Sequence, residues 1–352
     1  MDTIVISGIQ QVGVGVSNLH DAWKWYRKYF GVDIRIFEEE AVAKLMVPYT
    51  GGLPHRRHAA LALNMQGGGG FEIWQYKDRI PEAPKMKIQL GDFGIFAAKI
   101  KSRNVKKSYE YFVKNGLDVS EMYPDPCGLD HFFVQDPAGN YFQIVSSNSW
   151  FKDENKLTGA ICGALIGVSD ITRSVSFYGN VLGYDEVVYD IVGKFDDLSE
   201  VPGSHDTYHR VLLRSSKSRE GAFSRILGDS QIELFEVKER QATGIFANRL
   251  WGDLGFIHLC FDIHGMKELR TKCASLGYPY TVDSSDSFNM GEAAGHFSYI
   301  EDPDGTLIEF VETHKVAIIK KLGIYLNLNN RNPQKSLPVW MLKTLSLNRV
   351  KD

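Results

Sequence analysis

Short apolar stretches with strand periodicity alternate along the chain with amphipathic, helix-like ones, and the alternation repeats. Residues 9–33, IQQVGVGVSNLHDAWKWYRKYFGVD, begin as an alternating strand, pass a cap-type residue at Asn18, run on as a helix and close at Gly31. Residues 161–185, ICGALIGVSDITRSVSFYGNVLGYD, repeat this 152 positions later, with Asp170 as the cap. Ile9/Ile161, Gly15/Gly167, Val16/Val168, Ser17/Ser169, Tyr26/Tyr178, Gly31/Gly183 and Asp33/Asp185 are identical. A second pair recurs at an offset of 161, GDFGIFAAKIKS (91–102) over GDLGFIHLCFDI (252–263). Each leads into a helix-like run, VKKSYEYFVKNG or MKELRTKCASLG, and later into a matching hairpin, QDPAGNYFQIV (135–145) or EDPDGTLIEFV (301–311).

The chain therefore reads as four modules in the order A-B-A′-B′. Each is a strand, a helix and three further strands, the later ones exemplified by HAALALNM, GFEIWQY, YHRVLLRS and QIELFEV. The DPAG and DPDG tetrapeptides are tight turns, with proline setting φ and glycine supplying positive φ. Four glycines at 67–70 lack the G-K-[ST] ending of a phosphate loop and read as a flexible turn. GVGVSN (13–18) lacks the third glycine of a dinucleotide fingerprint.

Composition narrows the classes. With 43% hydrophobic and 24% charged residues among 352, this is a globular composition long enough for two ordinary domains. A net charge of −3 gives no footprint for nucleic acid. Cys127, Cys162, Cys260 and Cys273 form no C-x-x-C pair, which argues against a thiolate zinc site and a disulfide framework and suits a reducing compartment. The start MDTIVISGIQ is no signal peptide, and no apolar run is long enough to span a membrane, so cytoplasm is the expected setting. Residues 315–352 carry eight Lys or Arg against one acid, Asp352. This basic extension is expected to dock on the acidic body, because IIKKLGIYLNL and LPVWMLKTL contain apolar residues that are costly to leave in water.

His258 is the conspicuous residue, an ionisable ring inside an apolar strand. Two readings stand: a core histidine with satisfied nitrogens, or a ligand on a rigid strand. By alternation, Phe256, His258 and Cys260 share one face of FIHLCFDI, while Ile257, Leu259, Phe261 and Ile263 form an apolar face. Glu233 in QIELF and Glu309 in LIEFV likewise face away from their apolar neighbours. A carboxylate on a central strand needs a partner, and two of them with an imidazole suit a hard or borderline divalent metal.

The module, opening with h-x-V-S-D-L…FY…LG and ending with DPDG-x-x-I-E-F, resembles the vicinal oxygen chelate superfamily. That group holds glyoxalase I, methylmalonyl-CoA epimerase, extradiol dioxygenases and the bleomycin and fosfomycin resistance proteins. The resemblance covers about residues 5–312 and implies an α+β fold of four βαβββ modules paired into two cupped mixed sheets with helices outside. The halves are expected at 1–150, a structural duplicate without metal, and 157–312, with the metal cup, followed by the extension 313–352. The family's ligand positions fall here on Gln11, Glu72, Ala97 and Gln143 in the first half, and on Gly163, Glu233, His258 and Glu309 in the second. Ala97 cannot bind metal and Gln143 is a weak ligand. Gly163 leaves the C-terminal set with His258, Glu233 and Glu309, completed by water, substrate, or His205 or His209 from a loop.

The resemblance implies a divalent-metal enzyme, with Zn, Ni, Fe, Mn or Co as cofactor, acting on a small substrate with vicinal oxygens. Isomerase or lyase chemistry through a metal-stabilised enediolate is expected, with Glu233 or Glu309 as base. His296 is either a proton carrier or an exposed strand-end histidine, and Tyr299 and Arg214 are candidates to orient a substrate oxyanion. A ring-cleaving extradiol dioxygenase is an alternative, although it needs a second histidine. A metal-free small-molecule binder with an aromatic groove is another. The expected partner is a small molecule, not nucleic acid or membrane, and the expected assembly is a monomer or homodimer.

Overall fold

The structure, a computed structural model, describes residues 3–285, 288–290, 293–319, 324–328 and 330–351. Module A comprises β1 (Val5–Gly15), α1 (Leu19–Phe30), β2 (Ile34–Val42), β3 (Arg56–Leu63) and β4 (Gly70–Tyr76). Module B comprises β5 (Gly94–Ser102), α2 (Val105–Lys114), β6 (Tyr123–Pro124), β7 (Asp130–Gln135) and β8 (Tyr141–Ser146). Module A′ contains β9 (Thr158–Gly167), α3 (Ile171–Leu182), β10 (Glu186–Gly193), β11 (Tyr208–Arg214), the short α4 (Ser224–Leu227) and β12 (Gln231–Val237). Module B′ contains β13 (Gly255–His264), α5 (Met266–Ser275), β14 (Val282–Asp283), β15 (Phe288–Met290), β16 (Ala293–Glu301) and β17 (Leu307–Ile319). The extension adds β18 (Ile324–Asn327) and α6 (Val339–Lys343).

The helix boundaries follow from the local chemistry. Asn18 Oδ1 accepts from the backbone N–H of His20 and Asp21, and Gly31 closes α1 at φ 62°. Asp170 and Gly183 do the same for α3, with Gly183 at φ 72°. No described helix is long and apolar enough to cross a membrane.

Two curled mixed sheets result, but their composition departs from the expected halves. One runs β14-β16-β17-β13-β1-β4-β3-β2, with β15 and β18 attached at β16 and β17. The other runs β10-β11-β12-β9-β5-β8-β7-β6. Module A thus pairs with B′ through antiparallel β1 and β13, and module B pairs with A′ through β5 and β9. The divisions at 1–150 and 157–312 mark repeats in the sequence, not separate cups. Alternation specifies which face of a strand is buried; it does not specify which open edge receives which first strand.

The halves stay joined on the helix side. One core holds buried side chains of all four modules, among them Tyr26, Phe142, Tyr178 and Phe256. Tyr26 of α1 donates to Asp136 Oδ2 at 2.6 Å, and Tyr178 of α3 donates to Asp302 at 3.0 Å. Asp136 and Asp302 open the two DP turns, so the repeated tyrosine ties each helix to the last hairpin of its own half. Burial raises the pKa of Asp136, and it raises that of Asp302 to about 6.

The tetraglycine is not a flexible turn. Gly68 N–H donates to Ile226 O and Gly69 N–H to Ile161 O, at 2.8 and 2.7 Å. A Cβ on Gly70 would lie 2.4 Å from Ala62 O, and one on Gly69 2.6 Å from Ile9 O. Backbones pass here too closely for any side chain.

The basic extension lies on the body. β18 pairs with β17, and Leu337, Leu342 and Leu345 are buried against Ile34, Leu63, Ile226 and Leu227. Arg349 pairs with Asp33 and with Glu154, the latter at 2.7 Å. Of its basic residues, Lys320 and Lys321 lie outside the described residues.

We expect Tyr26→Phe to lower unfolding free energy by about 1–2 kcal/mol, since Asp136 keeps its turn hydrogen bonds and loses one donor in a buried setting. Urea denaturation checks this, and an unchanged midpoint contradicts the tie.

Candidate metal centre

Two irregularities in the central strands build the site. Between Gly13 and Val14 the β1–β13 register shifts, so that Gly13 faces His258 and Val14 faces Phe256, leaving Ile257 as an extra residue. Phe256 therefore turns to the main core, 5.3 Å from Phe142 between ring centroids, rather than sharing the face of His258. Ile257 joins the cluster of Trp74, Trp251 and Tyr299. From Leu259 onward the expected apolar face holds, with Leu259, Phe261 and Ile263 in the core. A second shift, between Ile9 and Gln11, brings both Gln10 and Gln11 to the cavity.

His258 Nε2 lies 3.2 Å from Glu72 Oε2 and 3.1 Å from Glu309 Oε2. Gln11 Nε2 lies 3.5 and 3.3 Å from the same two oxygens. Glu72 is on β4 and Gln11 on β1, both of module A; His258 on β13 and Glu309 on β17 belong to B′. The crossed pairing of modules is what brings them together.

Gly13 makes the meeting possible. It sits between Glu72 on β4 and His258 on β13, opposite both. A Cβ there would lie 2.3 Å from His258 Cε1, inside the imidazole itself. The ring occupies the room that glycine leaves. Trp251 stacks over it at 6.2 Å between centroids and 11° between planes, and Tyr299 meets it edge-on. The Tyr299 hydroxyl is 3.5 Å from Nδ1, so Nε2 is the nitrogen turned to the carboxylates.

The residues fit a divalent cation. His258 Nε2 is buried, makes no well-aligned hydrogen bond, and faces one oxygen each of Glu72 and Glu309 at 3.2 and 3.1 Å. Gln11 Oε1 is also buried without a partner, and an amide turn would exchange it with Nε2. Ligand atoms bonded to one divalent ion at about 2.0–2.2 Å lie roughly 3 Å apart, close to the 3.1–3.5 Å that separate each carboxylate oxygen from His258 Nε2 and from Gln11 Nε2. Without an ion, burial disfavours a charged His258, yet Glu309 and Glu72 outweigh it and raise the pKa to about 9. Two carboxylates in this position demand a cation, whether a proton on imidazole or a metal.

The cluster opens on a cavity of about 820 Å³ that includes Gln11, Glu72 and Glu309 together with Phe37, Trp74, Trp251 and Leu345. His258 is fully buried while the carboxylates are slightly exposed, so the carboxylates reach the cavity and the imidazole sits behind them.

Glu233, expected as a ligand beside His258, lies in the other sheet on β12. Its carboxylate is 2.5 Å from Arg210 Nε and 2.6 Å from Lys99 Nζ, and it accepts from Tyr189 at 2.5 Å. Burial pushes its pKa up, but the two cations hold it well below the usual carboxylate range. Asp197 meets Arg210 at 2.8 Å and His131 at 3.0 Å, and His131 meets Gln143 at 3.1 Å. Protein cations fill the second cup around the one carboxylate kept at its ligand positions Gly163, Glu233, Ala97 and Gln143. Glu72 takes the place expected of Glu233, because A and not A′ pairs with B′.

His296 also lies elsewhere. On β16, Phe297 and Tyr299 face the Trp74 cluster and Ile300 the helix-side core. His296 falls on the latter face and bonds Asp283 at 2.5 Å. Tyr299 is the β16 residue that reaches the site. Arg214 pairs with Glu186 at 3.4 Å across β10 and β11 of the other sheet, His209 pairs with Asp190 at 2.6 Å, and His205 is exposed. Gln11 and Glu72 were visible as ligand-type residues in the sequence; Gly13 was not. Its signal was a glycine inside a strand, flanked by the β-branched Val12 and Val14.

A family model described as the Glyoxalase/Bleomycin resistance protein/Dioxygenase superfamily matches residues 8–144 and 161–310. The chain belongs to that superfamily. Glyoxalase I from Zea mays is similar in structure at 14% identity and a TM-score of 0.55, over 88% of this chain and 93% of that one. A putative dioxygenase from Bacillus subtilis subsp. subtilis str. 168 is similar at 14% identity and a TM-score of 0.56, over 99% and 97%. These likenesses concern the fold. No curated protein sequence matches significantly.

Two substitutions separate the cups. Gly13→Ala should expel the imidazole from its place and lower metal affinity at least tenfold, with near-native circular dichroism; retained affinity contradicts the cradle. Glu233→Gln leaves Lys99 without its carboxylate and Arg210 with Asp197 alone, and should cost about 3–5 kcal/mol in urea denaturation, with metal content unchanged.

Proposed function

We propose that the chain is a divalent-metal-dependent enzyme of isomerase or lyase type, acting on a substrate that presents two neighbouring oxygens. The observation that carries this reading is the buried ring of Gln11, Glu72, His258 and Glu309, with two carboxylates converging on one imidazole nitrogen, at a cavity of about 820 Å³. A divalent cation held by these four side chains supplies Lewis acidity to the substrate oxygens and stabilises negative charge developing on them.

The chain's own groups supply the rest. Glu72 and Glu309 both reach the cavity, and either carboxylate can take a proton from the carbon beside the chelating oxygens and return it to a neighbour. Glu309 is the better placed of the sequence-expected bases, and Glu72 assumes the part expected of Glu233. Trp74 and Trp251 line the approach and exclude water, which strengthens every charge interaction within. A ring-cleaving dioxygenase requires a second histidine, and among the described residues this ring holds His258 alone. The cavity also admits more than a small substrate: its volume and its apolar wall, completed by Leu345 of the extension, favour an apolar body behind the chelating head.

In deuterium oxide, the metal-loaded protein should wash deuterium into the carbon-bound position of a matching substrate from a panel of α-hydroxy ketones and α-ketoaldehyde thiol adducts bearing apolar groups. Glu309→Gln should slow this at least about 10²-fold. Oxygen uptake with catechols, and no exchange with any member, would overturn the reading.

Metal affinity should rise with pH. The raised pKa of about 9 means that protonated His258 stabilises the metal-free fold fully below about 6.5, and that this contribution is lost as pH rises through about 9. Metal binding must displace the same proton, so affinity should climb over that interval, with close to one proton released per ion at its lower end. Calorimetry in buffers of different ionisation enthalpy measures the release; none at neutral pH contradicts His258 as ligand.

A further inference from the structure

The strands that wall the cavity carry a second convergent set of donors on their opposite side. His20 stands in the first turn of α1, Glu38 on β2 and His58 on β3. Ala60 and Ala62, two and four residues beyond His58, belong to the helix-side core, which places His58 on that side. Glu38 faces Ala60 across the β2–β3 pair and shares the side.

Glu38 Oε1 lies 3.3 Å from His58 Nε2 and 3.7 Å from His20 Nε2. The hydrogen-bonded pairs His296–Asp283, His209–Asp190 and His131–Asp197 are tighter, at 2.5, 2.6 and 3.0 Å. Ligand atoms at the corners of a tetrahedron, bonded to zinc at about 2.0–2.1 Å, stand about 3.3 Å apart. The second Glu38 oxygen is 3.3 Å from Arg35 Nη1, which fixes the carboxylate while leaving Oε1 to the histidines. The two imidazoles stand edge to face with centroids 5.4 Å apart. His20 is held from behind, because Asn18 Oδ1 caps its N–H at 3.0 Å and Gln75 Oε1 binds the N–H of Leu19 at 3.0 Å. With side-chain exposures of 67% for His20, 19% for Glu38 and 13% for His58, the cluster is open to solvent on the His20 side. A water can complete it.

We propose that His20, Glu38 and His58 form a second, exchangeable site for a borderline divalent cation, Zn²⁺ above all. Two imidazoles and one carboxylate select zinc, nickel or copper over magnesium and calcium, which take oxygen donors. An ion here ties the start of α1 to the β2–β3 pair, whose other face contributes Phe37 and Leu61 to the cavity. The site shares no ligand with the Gln11/Glu72/His258/Glu309 ring, so each stands or falls alone.

Zinc titration of the full chain against a chromophoric chelator tests it, with wild type, His20→Ala, His58→Ala and His258→Ala compared. One class of zinc should weaken at least tenfold in both His20→Ala and His58→Ala and persist in His258→Ala. His20 is exposed, so its substitution should leave circular dichroism unchanged and any loss is a ligand loss. If His20→Ala keeps every class of zinc that the wild type binds, the proposal is overturned. If the wild type binds a single class that His20→Ala loses and His258→Ala keeps, this site survives and the metal reading of the cup fails.

Discussion

A buried carboxylate must be met by positive charge, and both cups of this protein are organised around that requirement. In one, Glu72 and Glu309 converge on a single imidazole at 3.2 and 3.1 Å, which leaves negative charge in excess unless His258 is protonated or a cation enters. In the other, Glu233 is met by Arg210 and Lys99 from the chain itself. The same sheet architecture thus gives a centre whose charge is balanced by a proton on His258 or by an added cation, and a centre balanced by lysine and arginine of the chain. In the first, two carboxylates share one imidazole nitrogen; in the second, His131 meets Asp197 with one nitrogen and Gln143 with the other.

Pairing across the halves makes the asymmetry possible. Because β1 docks on β13, the two ligand-type residues of module A meet the two of B′; because β5 docks on β9, the depleted positions of B and A′ meet each other. Pairing within halves would have split the four strong donors between two cups. The tyrosine–aspartate ties of Tyr26 to Asp136 and Tyr178 to Asp302 hold each half together on the helix side while the sheets cross over.

Much of this was legible in the sequence, and what was not has definable causes. The module, its caps at Asn18 and Asp170, its DP turns and the apolar face Leu259/Phe261/Ile263 follow from local chemistry and periodicity. His258 and Glu309 stood out because a polar residue on a buried strand needs a reason. The partner of His258 was misread, since edge pairing depends on contacts between distant segments that no local pattern encodes. Phe256 was misplaced because a bulge at Ile257 inverts the alternation, and His296 because one position along β16 separates the cup from the core. The glycines at 67–70 looked mobile in composition, whereas their use is to let backbones touch.

The central claim is that modules A and B′ jointly hold one divalent ion. Anomalous diffraction at the metal edge, from crystals of protein purified without chelator, tests it most directly. The account expects a peak within bonding distance of Gln11, Glu72, His258 and Glu309 together, with none beside Glu233. A peak at Glu233, or a cup without any peak while His258 is hydrogen-bonded at both nitrogens, would contradict it.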